Sequence, residues 1–145
     1  MSTTPLPLLL LACLLACTAC AQPDAHVPAS RDDASLSGTI QHPAHAVPAM
    51  RICAVAEAPA RPVCIAHRAG QDHYTLSGLA PGVYQVIAQA DDGMFPVGGH
   101  VHAVQCIRAP CPEMLQEVTL AAGEHRDGID LNGFYPERAD FPAMP

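Results

Sequence analysis

Lysine and tryptophan are absent from the 145 residues, only 4% are aromatic, and only 14% are charged. All seven basic residues are arginines, scattered among 14 acidic ones, and the formal net charge is −7. That balance argues against the basic face a nucleic-acid-binding protein needs, and against a polybasic patch for anionic lipid. No nucleic-acid partner is expected. The heavy use of Ala and Pro carries little information by itself.

Charge is missing altogether from the first 21 residues. Pro5 to Ala16 is an apolar, Leu-rich run, too short to span a bilayer but right for the core of a signal peptide. The basic residues that usually precede such a core are also missing. Two endings compete. Ala19-Cys20-Ala21 before Gln22 fits the small-x-small rule of ordinary cleavage. Leu14-Leu15-Ala16-Cys17 resembles a bacterial lipobox, whose Cys becomes the lipidated first residue. Cys20 is the poorer lipidation candidate, because Cys17 stands where Leu is expected. Cys13 leaves too short an apolar core. The plainer reading is that these cysteines are small apolar residues of the signal core. Each reading implies export, to the periplasm or to an outer-membrane anchor.

Removing residues 1–21 leaves 124, enough for one domain that buries roughly two-thirds of its surface. Residues 22–34 are polar and aperiodic, a flexible tether of about 20 Å as a coil. From Leu36 onward the pattern has period two. Strands are expected over Ser35–Gln41, Met50–Glu57, Val63–Ala66, Tyr74–Leu79, Val83–Ala90, His100–Cys106, Leu115–Ala121 and Gly128–Leu131. Gly38 is a candidate bulge. Pro81-Gly82 supplies a fixed φ and a residue tolerant of positive φ, the pair a type II turn takes at its centre. No helix is expected after residue 21. Seven or so short strands with frequent turns predict a single antiparallel β-sandwich over residues 35–132. Residues 133–145 form a tail with Phe134, Tyr135 and Phe141 among prolines. It is expected either to pack across the sandwich or to serve as a docking segment.

Ser37-Gly38-Thr39-Ile40, Tyr74-Thr-Leu-Ser-Gly-Leu-Ala-Pro-Gly-Val-Tyr84, Leu120-Ala-Ala-Gly123 and Gly128-Ile-Asp-Leu131 together resemble the carboxypeptidase regulatory-like, or transthyretin-like, domain. The stretch from Tyr74 to Tyr84 is the most specific of them. The Asp-x-x-Gly turn common in that family before the first Tyr is replaced here by Ala69-Gly70-Gln71-Asp72-His73. The resemblance implies a seven-stranded prealbumin-like sandwich in a non-catalytic accessory role. It supplies no catalytic residue, because in the carboxypeptidases the catalytic domain is separate.

Four cysteines follow the signal region: Cys53, Cys64, Cys106 and Cys111. In an exported chain an even count reads as disulfides. Cys53 with Cys64 is the favoured pairing, since both fall on the outward face of adjacent strands. Cys106 with Cys111 would pin a short loop containing Pro110. Cys-x-x-Cys spacing is lacking, which argues against zinc and against a thioredoxin-like redox pair.

Of the eight histidines, His100 and His102 stand at i and i+2, and so share a face if the strand runs through them. They are candidate ligands for copper or zinc, with Met94 or Met114 as a soft addition. The competing reading makes them ordinary surface or edge residues. No hydroxyl sits in a nucleophile elbow, and the Asp32-Asp33 and Asp91-Asp92 side chains diverge, so no enzyme is expected. Tyr84 is expected to bury its ring and bond its hydroxyl to nearby backbone. The sequence thus predicts a non-catalytic exported module that binds an envelope protein or a glycan, with a periplasmic copper or zinc binder as the alternative. Any resident cofactor is expected to be confined to that metal, and the oligomeric state stays open.

Overall fold

The computed structural model describes residues 33–58, 60–91, 97–108 and 110–145. The proposed signal segment and all but the last residues of the tether, with Cys17 and Cys20, lie outside the described residues, as does Met94.

Alternation of apolar and polar residues produces the expected all-β chain, with no helix among the described residues. There are eleven strands rather than about seven. They are β1 (Ala34–Thr39), β2 (Met50–Ala56), β3 (Val63–His67), β4 (His73–Leu79), β5 (Gly82–Ala90), β6 (Val97–Gly99), β7 (Val101–Ala103), β8 (Glu113–Leu115), β9 (Glu117–Leu120), β10 (His125–Arg126) and β11 (Gly133–Tyr135). The count rises because short strands form where none was expected: β6 precedes the strand expected from His100, β8 lies almost wholly ahead of the one expected from Leu115, and β10 and β11 are additional.

Three sheets result. One has the order β10-β1-β4, the second runs β11-β6-β5-β2-β3 with β9 also on β5, and the third is the β7–β8 pair. The pairings are antiparallel except β1 with β10, which is parallel. Gly128–Leu131, expected as a strand, is irregular. Its amides nevertheless continue that parallel ladder, Ile129 N–H donating to Ser37 O at 3.0 Å and Leu131 N–H to Thr39 O at 2.8 Å.

The first two sheets share one core. Leu36, Tyr74, Leu76 and Leu79 from the smaller sheet pack with Met50, Ile52, Tyr84, Val86 and Val118 from the larger. Side chains of β5 at period two point into it, as predicted for Tyr84, Val86, Ala88 and Ala90. The opposite face of β2 and β5 is not open, contrary to the outward position expected for Cys53. A second cluster of Cys53, Ile87, Val101 and Phe141 covers it, with Tyr135 and Met144 at its margin. The C-terminal segment therefore packs on the sheet, and it begins as a strand, β11, paired with β6.

Two glycines behave differently from the sequence expectation. Gly38 lies in regular register opposite Tyr74 and makes no bulge. A Cβ there would sit 2.3 Å from the Ile129 carbonyl oxygen, so the residue is bare because the parallel segment passes over it. The irregularity falls where the register shifts between Ala34 and Ser35, opposite Gly78, whose φ is +76°. That extra residue lets both Leu76 and Leu79 face the core. Gly82 does not have positive φ, so Pro81-Gly82 makes no type II turn. Gly82 pairs with Leu120 as the first rung of β5. The Tyr74–Tyr84 segment carries the chain from one sheet to the other. Tyr84 Oη donates to Ala80 O at 2.7 Å across that corner, the backbone bond expected of it.

Candidate functional site

Among the described residues, the most exposed large apolar side chains, Ile107 and Met114, lie on the β7–β8 hairpin. Val101, His102 and Ala103 pair with Leu115, Met114 and Glu113, and Val104 N–H to Pro112 O extends the ladder by one bond of 2.8 Å. Beyond it the chain turns through Cys106 and Cys111, which are joined by a disulfide with Cα atoms 5.4 Å apart. Ile107 stands fully exposed on the closed loop, next to the exposed Arg108, and Met114 is 53% exposed on the strand behind them.

The base of this hairpin is held firmly. Val101 belongs to the second cluster, and its N–H and C=O are bonded by the Asn132 side-chain amide, each at 2.9 Å. On the other strand, Tyr135 Oη donates to the Glu113 carboxylate, and Arg138 Nη2 donates to Glu113 O at 2.7 Å. Burial, then the hydrogen bond to Glu113, pushes the Tyr135 phenol up to about 12. The hairpin is thus a finger with an anchored root and a covalently closed tip.

Beside it on the larger sheet lies a groove of 550 Å³, walled by Val55, Ala58, Val83 and Pro142 and carrying Glu57 and Glu117. Pro142 comes from the same C-terminal segment that braces the hairpin.

No known protein family, characterised protein or solved structure matches the chain.

The predicted disulfides are both present. Cys53 and Cys64 are register partners on β2 and β3, with Cα atoms 4.1 Å apart. In this bridge Cys53 is buried under the second cluster and Cys64 is half-buried, whereas Cys106 of the other bridge is exposed.

The two candidate ligands are placed differently. His100 interrupts the strand between β6 and β7 and is buried, its Nδ1 donating to Asp130 O at 2.7 Å. His102 is exposed on β7. The break at His100 removes the regular pleat on which their common face was argued. No group of three His, Cys, Asp or Glu placed to hold a metal ion occurs among the described residues.

A polar strip along β1 went unnoticed in the sequence. Asp130 Oδ1 accepts from both Thr39 N–H and Thr39 Oγ1, each at 2.8 Å. Ser37 Oγ donates to Asp127, and Tyr74 Oη to Ile129 O. The Thr39 bonds hold the Asp130 carboxyl below the ordinary carboxylate range, with His100 and His73 adding attraction. Burial pushes the Tyr74 phenol upward. These groups fasten the irregular 127–130 segment to β1, supplying the contacts that a regular strand would have made itself. The signal was available in Asp127-Gly128-Ile129-Asp130, where two Asp flank a Gly with φ +79°.

Proposed function

We propose that this chain is an exported, non-catalytic binding module, a prealbumin-like sandwich related to the carboxypeptidase regulatory-like domains, held at the cell envelope by a lipid on Cys17 (or Cys20). The two disulfides suit an oxidising compartment. The two sheets with a common core suit a sandwich. The observation that carries the binding role is Ile107, a large aliphatic side chain wholly in solvent on a loop whose entropy is already reduced by a disulfide. An isolated apolar anchor on a pre-ordered loop is the form of an interface hot spot. The partner class is a protein, since an aliphatic tip beside an arginine suits an apolar pocket rimmed by carboxylates better than a glycan.

The test is a photo-reactive residue at position 107, compared with one at exposed Arg51 on β2. Adducts with an envelope protein at 107 and none at 51 are expected. Equal labelling at both positions, or none at either, overturns the binding role. Intact mass of the membrane fraction tests the anchor: an acylated Cys is expected, and a soluble form beginning at Gln22 overturns it.

The copper or zinc reading keeps one supporting observation. A carbonyl only accepts, so the bond to Asp130 O places a proton on His100 Nδ1 and leaves Nε2 as the lone pair of the neutral ring. Metal-binding imidazoles are commonly fixed this way. Calorimetric titration with Cu(II) and Zn(II) decides it: affinity lost in the His100→Ala/His102→Ala variant supports the reading, and equal affinity in both proteins removes it.

A further inference from the structure

Three large apolar side chains are exposed among the described residues: Val83, Ile107 and Met114. Two of them lie on the finger. The third, 46% exposed, lies in the groove. One surface is convex and the other concave, and their charges are opposite. Glu57 and Glu117 line the groove, and neither has an ion-pair partner among the described residues. Arg108 beside Ile107 likewise has none.

We propose that the groove receives the hairpin tip of a second copy of this chain. Ile107 of one copy seats against Val83 and Val55 of the other, and Arg108 reaches Glu57 and Glu117. This rests on the binding-module reading and names its partner. The groove volume falls within the range that accommodates ligand-sized groups, so two side chains fit. Closure by Cys106–Cys111 lowers the ordering cost that a free loop would incur on docking. Finger and groove are different surfaces, so a two-fold exchange of fingers builds a reciprocal, isologous pair, and any other arrangement builds a heterologous ring or row.

Sedimentation equilibrium of the oxidised protein tests it. The weight-average mass is expected to rise with concentration between about 1 µM and 1 mM. Ile107→Asp and Val83→Asp should each weaken association on the order of tenfold or more. Both positions are exposed, and circular dichroism confirms that the variants fold. Reversing the groove with Glu57→Arg and Glu117→Arg should weaken association, and adding Arg108→Glu to that variant should restore it, because the mirrored charges attract again. A wild type that stays monomeric throughout, an Ile107→Asp variant that associates as before, or a mirrored variant that fails to recover overturns the proposal. A monomer that still crosslinks through position 107 to a different envelope protein overturns the second copy as partner and leaves the binding role standing. A monomer that crosslinks to nothing overturns both.

Discussion

Arg138 joins the C-terminal segment to the finger by donating from Nη2 to the Glu113 carbonyl at 2.7 Å. Its guanidinium lies 4.4 Å from the Tyr135 ring centroid and 4.6 Å from that of Phe141, and is gripped by both Asp140 oxygens at 2.7 Å. Planar stacking and a fork of donors are both used, which lysine does not offer. Arg138→Lys should therefore behave nearly as badly as Arg138→Ala, each costing about 1–2 kcal/mol. Hydrogen exchange should locate the loss at His102, Val104 and Met114, whose amides lie in the bonded pairs of the β7–β8 ladder. Equal protection in Arg138→Lys and wild type would disprove the role of the stack.

Gly38→Ala should destabilise the fold by about 1–3 kcal/mol, since its Cβ meets backbone that belongs to a paired segment and has little room to move. Gly70→Ala should cost about 1 kcal/mol for a different reason. Nothing lies within 4 Å of its Cβ, but its φ of +82° disfavours a side chain. Urea denaturation separates the two. A second change, Gly70→Asn, should recover part of the loss at the φ-limited site, because Asn tolerates that region.

Much of the frame was legible because alternation is a local property. The strands from β1 to β5 fall within a residue or two of their expected bounds, and Cys53–Cys64 follows from their parity. What escaped depends on residues far apart in sequence. Nothing local distinguishes Gly38, which makes room for Ile129, from Gly78, which makes the bulge. The cover over Cys53 comes from Phe141, a residue whose partners lie on β2, β5 and β7. The finger was visible as a Cys-bounded loop. The groove was not, because its lining comes from four separate stretches of chain.

The two disulfides should open in order. A mild thiol reductant should reach Cys106–Cys111 first, because Cys106 is exposed, while Cys53 has no accessible surface. Alkylation and mass analysis should find the 106/111 pair labelled well before the 53/64 pair. Replacing Cys53 and Cys64 by Ala should cost about 2–3 kcal/mol, by loss of the constraint on the unfolded chain. Simultaneous labelling of all four cysteines would contradict this order.

The brace on the finger should respond to pH at both extremes. Tyr135 titrates at about 12 rather than 10.0, so the neutral phenol's contribution is complete below pH 10 and is lost as pH rises through 12. Asp140 is held down to about 2, chiefly by hydrogen bonds from Arg138. Its contribution is present above the ordinary carboxylate value of 3.8 and is lost as pH falls toward 2. Ultraviolet titration should show a phenolate transition near 12 whose amplitude falls by one phenol in Tyr135→Phe. An undiminished amplitude in that variant would assign it elsewhere.

The cover that Phe141 lays over the inner disulfide has a consequence for the order of events during synthesis. A chain emerging N-terminus first delivers Cys53 and Cys64 long before Phe141 and Tyr135. The bridge therefore has an interval in which an oxidant can reach it, and that interval closes when the aromatic segment docks. Late arrival of the lid leaves Cys53 accessible while it needs chemistry and buried afterwards.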